Sequence, residues 1–364
     1  VVALLSYIYG GVITDRYSPR KLMSSALFLT ALGGLVLASY PSYQTLQILY
    51  GYWGFTSVFL FWGAMIKATR LWGGDNNQGK AFGFLDGGRG IVAASMGSIG
   101  VFVFTIVLTR DIESASVLER QEAFRYVILL SSFMVAFIGL LVLIFLRNME
   151  DKNTNFELPL NTLTNIKGVL KNESIWLLML IIMCAYVGYK VTDIYSLYAS
   201  EVMLYDQIEA AEVGALQLYL RPIVCIAIGL LADRTKNMFW IIFGFVTMLI
   251  GALIFSFGII KPDMNFIFFL SLVILAVGTY SIRALYFAVL KEANVAFALT
   301  GTAVGIISVV GYSPDIFAGP IMGYLLDENP GIIGHQYVYF MLVIFSIIGL
   351  IASIRFARLT KPSG

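Results

Sequence analysis

Apolar runs about twenty residues long follow one another along almost the whole chain, and nothing else in the sequence constrains the fold as much. A stretch such as WIIFGFVTMLIGALIFSFGII, residues 240–260, carries no charge. At ~1.5 Å of rise per residue, a helix of this length crosses a ~30 Å hydrocarbon core. Transmembrane barrels are excluded because their strands alternate apolar and polar over about ten residues, whereas these segments are continuously apolar. Backbone N–H and C=O groups have no water to bond in lipid, so the spans must be helices. With only 13% of residues charged, the chain reads as an all-α, multi-pass integral membrane protein.

Eleven spans can be placed, at 1–13, 22–40, 45–69, 81–108, 125–146, 174–200, 208–232, 238–260, 265–289, 296–326 and 336–356. Most turns between them are short, and the two longer polar breaks are 109–124 and 147–173. The second break separates five spans from six, which predicts an N-terminal bundle at 1–146, a central loop at 147–173 and a C-terminal bundle at 174–364.

Orientation follows from the basic residues. With the first charged turn assigned to the cytoplasm, that side carries Arg16, Arg20, Lys21, Lys67, Arg70, Lys80, Arg147, Lys152, Lys167, Lys171, Arg234, Lys236, Lys291, Arg355, Arg358 and Lys361. The other side carries Arg110, Arg120, Arg125 and Lys261. This bias puts the C-terminus in the cytoplasm and suggests a bacterial cytoplasmic (inner) membrane. The chain starts at Val1 with an apolar run and no polar leader; an odd number of spans then leads to the expectation that one N-terminal helix is missing and that the full count is twelve, six plus six.

Composition excludes several functions. A net charge of +2 gives no electrostatic footprint for nucleic acid. Cys184 and Cys225 lie in apolar runs, with no CxxC and no metal-ligand spacing, so no metal or cofactor is expected. His335, the one histidine, sits in a polar turn and is expected at the surface. The chain has no HExxH, GxSxG or GxxxxGK[ST] motif, which argues against a membrane enzyme. No ring of charges or filter-like run suggests a channel.

A knot of charge recurs instead. GGVITDRYSPRK at 10–21 places Asp15-Arg16 four and five residues after Gly11, with Arg20 and Lys21 following. GLLADRTKN at 229–237 places Asp233-Arg234 at the same distance from Gly229, with Lys236 following. The return after 218 residues points to two related halves. Glycine lets two helices approach closely, an Asp at a helix end can accept hydrogen bonds from a neighbouring helix N-terminus, and the basic residues anchor the cytoplasmic face. A positive-inside anchor alone needs neither the Asp nor the second copy, so the knot reads as a gate latch made of Gly11, Asp15, Arg16, Gly229, Asp233 and Arg234. A second echo aligns KAFGFLDGGRGIV at 80–92 with VAFALTGTAVGII at 295–307, which pairs Gly90 with Gly305 and sets Arg89 opposite Val304.

Both charge knots, the central loop and the span count resemble the major facilitator superfamily of secondary transporters, of which these are the two signature loops. The resemblance covers the whole chain, although Ser18-Pro19 departs from the usual first copy. It implies two pseudo-symmetric six-helix bundles that alternate access by rocking around a midplane site.

Four cations lie inside spans: Arg89 about 12 Å from the cytoplasmic end of its helix, Arg221 near mid-membrane, Lys190 somewhat past the middle, and Arg283 nearer the cytoplasm. An unpaired Arg at the centre of a span costs roughly 2.5–3.5 kcal/mol on insertion scales. Asp86 can pair with Arg89 at i−3, Asp193 with Lys190 at i+3, and Asp315 with a third cation. One positive charge is left over, which suits an anion. Arg89, Arg221 and Lys190 are therefore the candidate substrate contacts, Asp86, Asp193 and Asp315 the coupling or charge-pairing groups, and Arg283 a cytoplasmic gate residue. The expected function is secondary transport of a small organic anion, a carboxylate or phosphate ester, with a loose similarity to the organophosphate:phosphate antiporter group. The expected partners are that substrate, a coupling ion (proton or phosphate) and the lipid bilayer, and the chain is expected to be a monomer. The alternatives are a proton-coupled transporter of a neutral sugar or drug, or a transport-fold sensor. Antiport and symport stay open. Ser313-Pro314 and Gly319-Pro320 are expected to break the helix at 296–326.

The orientation has a direct test. A cysteine introduced within 147–173 should be labelled by an impermeant maleimide in inverted vesicles and protected in intact cells; the reverse pattern would overturn both the orientation and the latch.

Overall fold

In the computed structural model the chain is helical throughout the residues described, which are 2–108, 115–147 and 162–360. Arg110, Lys152, Lys361 and residues 148–161 of the central break lie outside them. The first helices are α1 (Val2–Arg16), α2 (Pro19–Leu37) and α3 (Tyr43–Gly54), which runs through a π-helical stretch, Phe55–Trp62, into α4 (Gly63–Gly73). Next come α5 (Gln78–Val107), α6 (Val117–Phe145) and the short α7 (Thr162–Leu170). Then α8 (Glu173–Val191) continues through a 3₁₀ turn into α9 (Tyr195–Glu201), followed by α10 (Gln207–Arg234), α11 (Asn237–Ser256) and α12 (Asn265–Leu285). The chain ends in α13 (Thr300–Gly311), α14 (Pro314–Glu328) and α15 (Ile332–Leu359).

Among the described residues nine helices are long and apolar enough to cross a membrane. Together with α1 and the continuous Tyr43–Gly73 helix they occupy the eleven spans read from the sequence. Large apolar side chains such as Leu32, Val101, Phe102, Phe133 and Phe145 are exposed, as suits helices solvated by lipid. Caps account for several boundaries. Pro19 opens α2 behind Ser18, where its missing N–H costs nothing. Ser116 with Glu119, and Asp206 with Glu209, form reciprocal capping boxes at the starts of α6 and α10. The first of these carries helix back into the polar break at 109–124. Of the two expected breaks in the 296–326 helix, the one at Ser313-Pro314 falls between Gly311 and Pro314, where α13 gives way to α14, whereas Gly319-Pro320 lies inside α14 and does not end it.

The chain forms two compact units. The first consists of Val1–Leu71, Val92–Lys167 and Ala296–Ile306, and the second of Trp72–Ile91, Gly168–Val295 and Ile307–Gly364. In the first, α2 packs along α6, and α1 packs on the π-helical stretch. Contact there is backbone to backbone: a Cβ on Gly10 would lie 2.5 Å from the Phe59 carbonyl oxygen. Tyr52 Oη donates to the Leu29 carbonyl (2.7 Å) and Trp53 Nε1 to the Thr30 carbonyl (3.1 Å), fixing this helix on α2. In the second unit, α11 packs on α12 and α15, and α15 on α8. Its interior is aromatic: Phe255 stacks on Tyr339 at 4.3 Å, and Tyr198 meets both Phe255 (4.9 Å) and Phe268 (5.6 Å).

His335 corrects the sequence reading. The polar turn ends at Gly331, α15 starts at Ile332, and the histidine side chain is 0% exposed among these rings.

Alanine at two glycines should separate packing from propensity. In a helix Ala is favoured over Gly by ~1 kcal/mol, so Gly97→Ala, which meets nothing within 4 Å, should leave the thermal midpoint of the purified protein unchanged or raised. Gly10→Ala should lower it, by about 1–3 kcal/mol of stability. Equal effects would refute the close approach.

Candidate functional site

Two clamps with one design sit at helix N-termini, where unpaired backbone N–H groups point outward. In the first unit Asp15, at the end of α1, accepts from Gly301 N (2.6 Å), Thr302 N (2.8 Å) and Thr302 Oγ1 (2.6 Å) at the start of α13. In the second unit Asp233, at the end of α10, accepts from Gly79 N (2.7 Å) and Lys80 N (2.8 Å) at the start of α5. Glycine makes each approach possible. A Cβ on Gly11 would lie 2.4 Å from the Gly301 carbonyl oxygen and 3.2 Å from Gly305 Cα; on Gly229 it would lie 2.5 Å from the Gly79 carbonyl oxygen and 2.9 Å from Gly83 Cα. A helix reading Gly-x-x-x-Asp thus grips one reading Gly-x-x-x-Gly, twice. Arg16 and Arg234 are exposed.

This geometry corrects the register of the second sequence echo. Gly83, not Gly90, is the counterpart of Gly305, so Arg89 corresponds to Gly311 rather than Val304, and Asp86 corresponds to Ser308. Local identity of Ala-Phe pairs had outweighed the glycines that make the contact.

Two basic side chains of α4 join the first clamp. Lys67 Nζ donates to the carbonyls of Thr14 (2.9 Å) and Asp15 (3.3 Å), orphan acceptors at the end of α1. Buried Arg70 donates from Nη1 to Thr300 Oγ1 (2.6 Å), with its guanidinium 4.3 Å from the Phe297 ring centroid. Sequence reasoning had counted both only as orientation charges.

The intramembrane charges converge in the second unit. Asp86, on α5, lies at the centre and is 5% exposed. Arg221 of α10 donates to both its oxygens, Nε to Oδ2 at 3.2 Å and Nη2 to Oδ1 at 2.8 Å. Arg283 Nε approaches Oδ2 at 3.7 Å and Arg89 Nη1 approaches Oδ1 at 3.6 Å, and Cys225 Sγ donates to Oδ2 at 3.4 Å. The α5 glycines let α10 come near enough: a Cβ on Gly90 would crowd Pro222 Cδ at 3.0 Å and Arg221 Cγ at 3.2 Å. Tyr189 covers Arg283, its ring centroid 3.8 Å from the guanidinium carbon, and Tyr186 lies at 5.6 Å. Arg283 Nε and Nη1 are buried with no hydrogen-bond partner among the described residues.

Lys190 is held apart, between Asp193 (3.1 Å) and Asp315 (3.8 Å). Both acids are half exposed, and Tyr186 Oη donates to Asp315 at 3.2 Å. The Lys190–Asp193 pair is as read from the sequence. Asp86 is shared among three arginines instead of serving Arg89 alone, and Asp315 adds a second acid to Lys190 instead of serving a third cation. Arg283, expected nearer a cytoplasmic gate, is drawn into the cluster. Its charge was visible in the sequence, but position along α12 could not show where a long guanidinium ends. Tyr189 had no signal beyond being one of many tyrosines. The positive surplus therefore gathers on the arginines around Asp86, and the negative surplus on Lys190. Among the described residues there is no group of His, Cys, Asp and Glu that could hold a metal ion.

Comparison with known proteins gives a consistent answer. The chain is 26% identical over 350 residues to the inner membrane protein YqcE of Escherichia coli, covering 94% of this chain and 80% of that one. It is 25% identical over 369 residues to the inner membrane protein YihN of the same organism, covering 98% and 84%. Among solved structures, it superposes on the transporter FucP in the outward conformation with a TM-score of 0.74 at 14% identity, covering 99% of this chain and 87% of FucP. The proton:xylose symporter XylE gives 0.73 at 14% identity, covering 99% and 84%. A family model described as Major Facilitator Superfamily matches residues 1–318. This multi-pass integral membrane protein, with its two signature clamps and its buried charge cluster, belongs to the Major Facilitator Superfamily.

Proposed function

We propose that the chain is a secondary active transporter that carries a small organic anion, a carboxylate or phosphate ester, through alternating access. The observation that carries this reading is the arrangement of buried Arg221 and Arg283, with the exposed Arg89 beside them, on the single carboxylate of Asp86. One carboxylate cannot neutralise three guanidiniums, and an uncompensated charge at this depth is costly. An oxyanion that meets Arg283 through Nη1, and through the Nε that Asp86 reaches only at 3.7 Å, would relieve that cost, and the guanidinium fork matches carboxylate and phosphate geometry. Tyr189 and Tyr186 supply faces on which the carbon skeleton of such a ligand could rest. In this reading Arg89, Arg221 and Arg283 bind substrate, with Lys190 close by on the same helix as Tyr189. Asp193 and Asp315 are the coupling groups, because Asp86 is engaged by its arginines. Arg283, expected from the sequence as a gate residue, joins Arg89 and Arg221 in this reading, and Lys190 becomes a neighbour of the site.

The clamps are the proposed cytoplasmic latch. Each is a carboxylate on a helix N-terminus, where the macrodipole and the free N–H groups favour a negative charge. Their rupture would accompany opening toward the cytoplasm, where the C-terminus would also lie.

Two experiments bear on these readings. Purified protein melted in the presence of glucose 6-phosphate, citrate, glucose or tetraphenylphosphonium should be stabilised by an anion, by about 2.7 kcal/mol at a hundredfold excess over Kd. Arg283→Gln should abolish that shift. Stabilisation by glucose alone, unchanged in Arg283→Gln, would replace the reading with neutral-sugar transport. Separately, Asp15→Asn with Asp233→Asn should weaken charge-assisted bonds worth about 1.5–3 kcal/mol each. Maleimide labelling of cysteines placed beside the clamps should then rise. Unchanged labelling would reduce the clamps to anchors.

A further inference from the structure

The second unit holds a buried titratable pair that neither the arginine cluster nor the clamps use. His335 Nε2 lies 3.0 Å from Glu201 Oε2, joining the first turn of α15 to the last turn of α9. The imidazole is 0% exposed and the carboxylate 40% exposed, so one member faces the interior and the other reaches the outside. Around the ring, Tyr198 packs edge-on at 5.0 Å, and Tyr339 lies 5.9 Å from Tyr198. His335 Nδ1, Tyr198 Oη and Tyr339 Oη are all buried without a hydrogen-bond partner among the described residues. Three orphaned polar atoms in one apolar pocket are unusual, since such groups are nearly always satisfied.

We propose that His335 and Glu201 form a proton-binding site. A neutral imidazole that donates from Nε2 to Glu201 leaves Nδ1 as a bare acceptor. Protonation turns Nδ1 into a second donor; among the described residues the hydroxyls of Tyr198, whose ring packs on the imidazole, and of Tyr339, whose ring packs on Tyr198, are buried with no hydrogen-bond partner of their own. The carboxylate is already placed to balance the imidazolium charge, and its exposure gives the proton a route from solvent. Glu201 and Tyr198, both from α9, meet the imidazole itself; behind Tyr198 lie Tyr339 of α15, in electrostatic reach of Tyr195 and Tyr198, and the apolar Phe255 of α11 and Phe268 of α12. Glu201 is the one charged group acting on the ring. A packing role alone would be met by any polar ring bonded to Glu201 and would leave the imidazole in one protonation state.

The site is separate from the arginine cluster. Glu201 lies twelve residues beyond Tyr189, about 18 Å along the helical path. Tyr195 sits between, buried, in electrostatic reach of both Tyr339 and Tyr280, and Tyr280 neighbours Arg221 and Arg283. Proton binding would convert a hydrogen bond between a neutral imidazole and a carboxylate into an ion pair between α15 and α9, and so favour whichever state of the protein keeps it closed. Its use as the coupling ion rests on the transporter reading; the proton site itself does not.

Because His335 is the only histidine, the full chain labelled with ¹⁵N-histidine and purified through a histidine-free tag has a single imidazole to observe. Its nitrogen shifts should report uptake of a proton as the pH is lowered from about 8 toward the acid limit at which the protein stays folded. Glu201→Gln, at a half-exposed position where folding should survive, should move the midpoint down by about one pH unit or more. An imidazole that keeps one protonation state across that range, or a midpoint unmoved by Glu201→Gln, would overturn the proposal. If no anion stabilises the protein, the anion reading fails, yet the titration is unaffected, so the two are separable.

Discussion

A carboxylate set on the first N–H groups of another helix is the interaction on which much of this architecture depends. Asp15 and Asp233 each satisfy two backbone donors that the start of a helix leaves unpaired. They reach them only because glycines on both partners remove the Cβ atoms that would keep the backbones apart. The same spacing of four residues serves twice: from Gly11 to Asp15 and Gly229 to Asp233 on one side, from Gly301 to Gly305 and Gly79 to Gly83 on the other. Such bonds are charge-assisted, yet they bind no side chain irreversibly. The proposed latch role needs a contact that is firm when made and can still part, and this one qualifies, since water can hydrate the carboxylate and the N–H groups once they separate.

The charge cluster departs from this symmetry. At the positions in the other half that correspond to Asp86 and Arg89 by the clamp register stand Ser308 and Gly311, neither charged. Ionisable groups have therefore been added to one side of a duplicated frame. Small residues made the room, because Gly90 and Gly87 allow α10 to lie close enough for Arg221 to take Asp86 in both oxygens. Burying two guanidiniums, with a third exposed beside them, against one carboxylate leaves a standing positive potential, and Tyr189 over Arg283 compensates only part of it through its ring face. This balance supports the proposed anion reading, because an oxyanion would offset the remaining positive charge where a neutral ligand would not.

The spans and both clamps were legible because each rests on a local rule: hydrophobic length sets the helices, and a glycine followed by an acid four residues later puts both on one helix face. The residues of the charge cluster were legible as charges out of place, but their pairing was not. Asp86 was assigned to Arg89 because only neighbours in sequence can be paired by counting, whereas its close partner, Arg221, stands 135 residues away. His335 was misplaced for a related reason. The glycine and asparagine before it mark a turn, but a turn does not tell which way the next residue faces, and here α15 begins early enough to aim the imidazole into the aromatic core.

By itself, then, the sequence determined the solvent, the helical class, the duplication and the helix that each latch acid ends. These follow from transfer energies, backbone satisfaction in lipid and helical periodicity, all of which act over a few turns of chain. Only the tertiary structure decided which acid serves which cation, that Arg283 joins Asp86 beneath Tyr189, and that a buried His335 meets the part-exposed Glu201. Those outcomes depend on how near two distant helices come, a distance set by whichever small or bulky side chains meet between them.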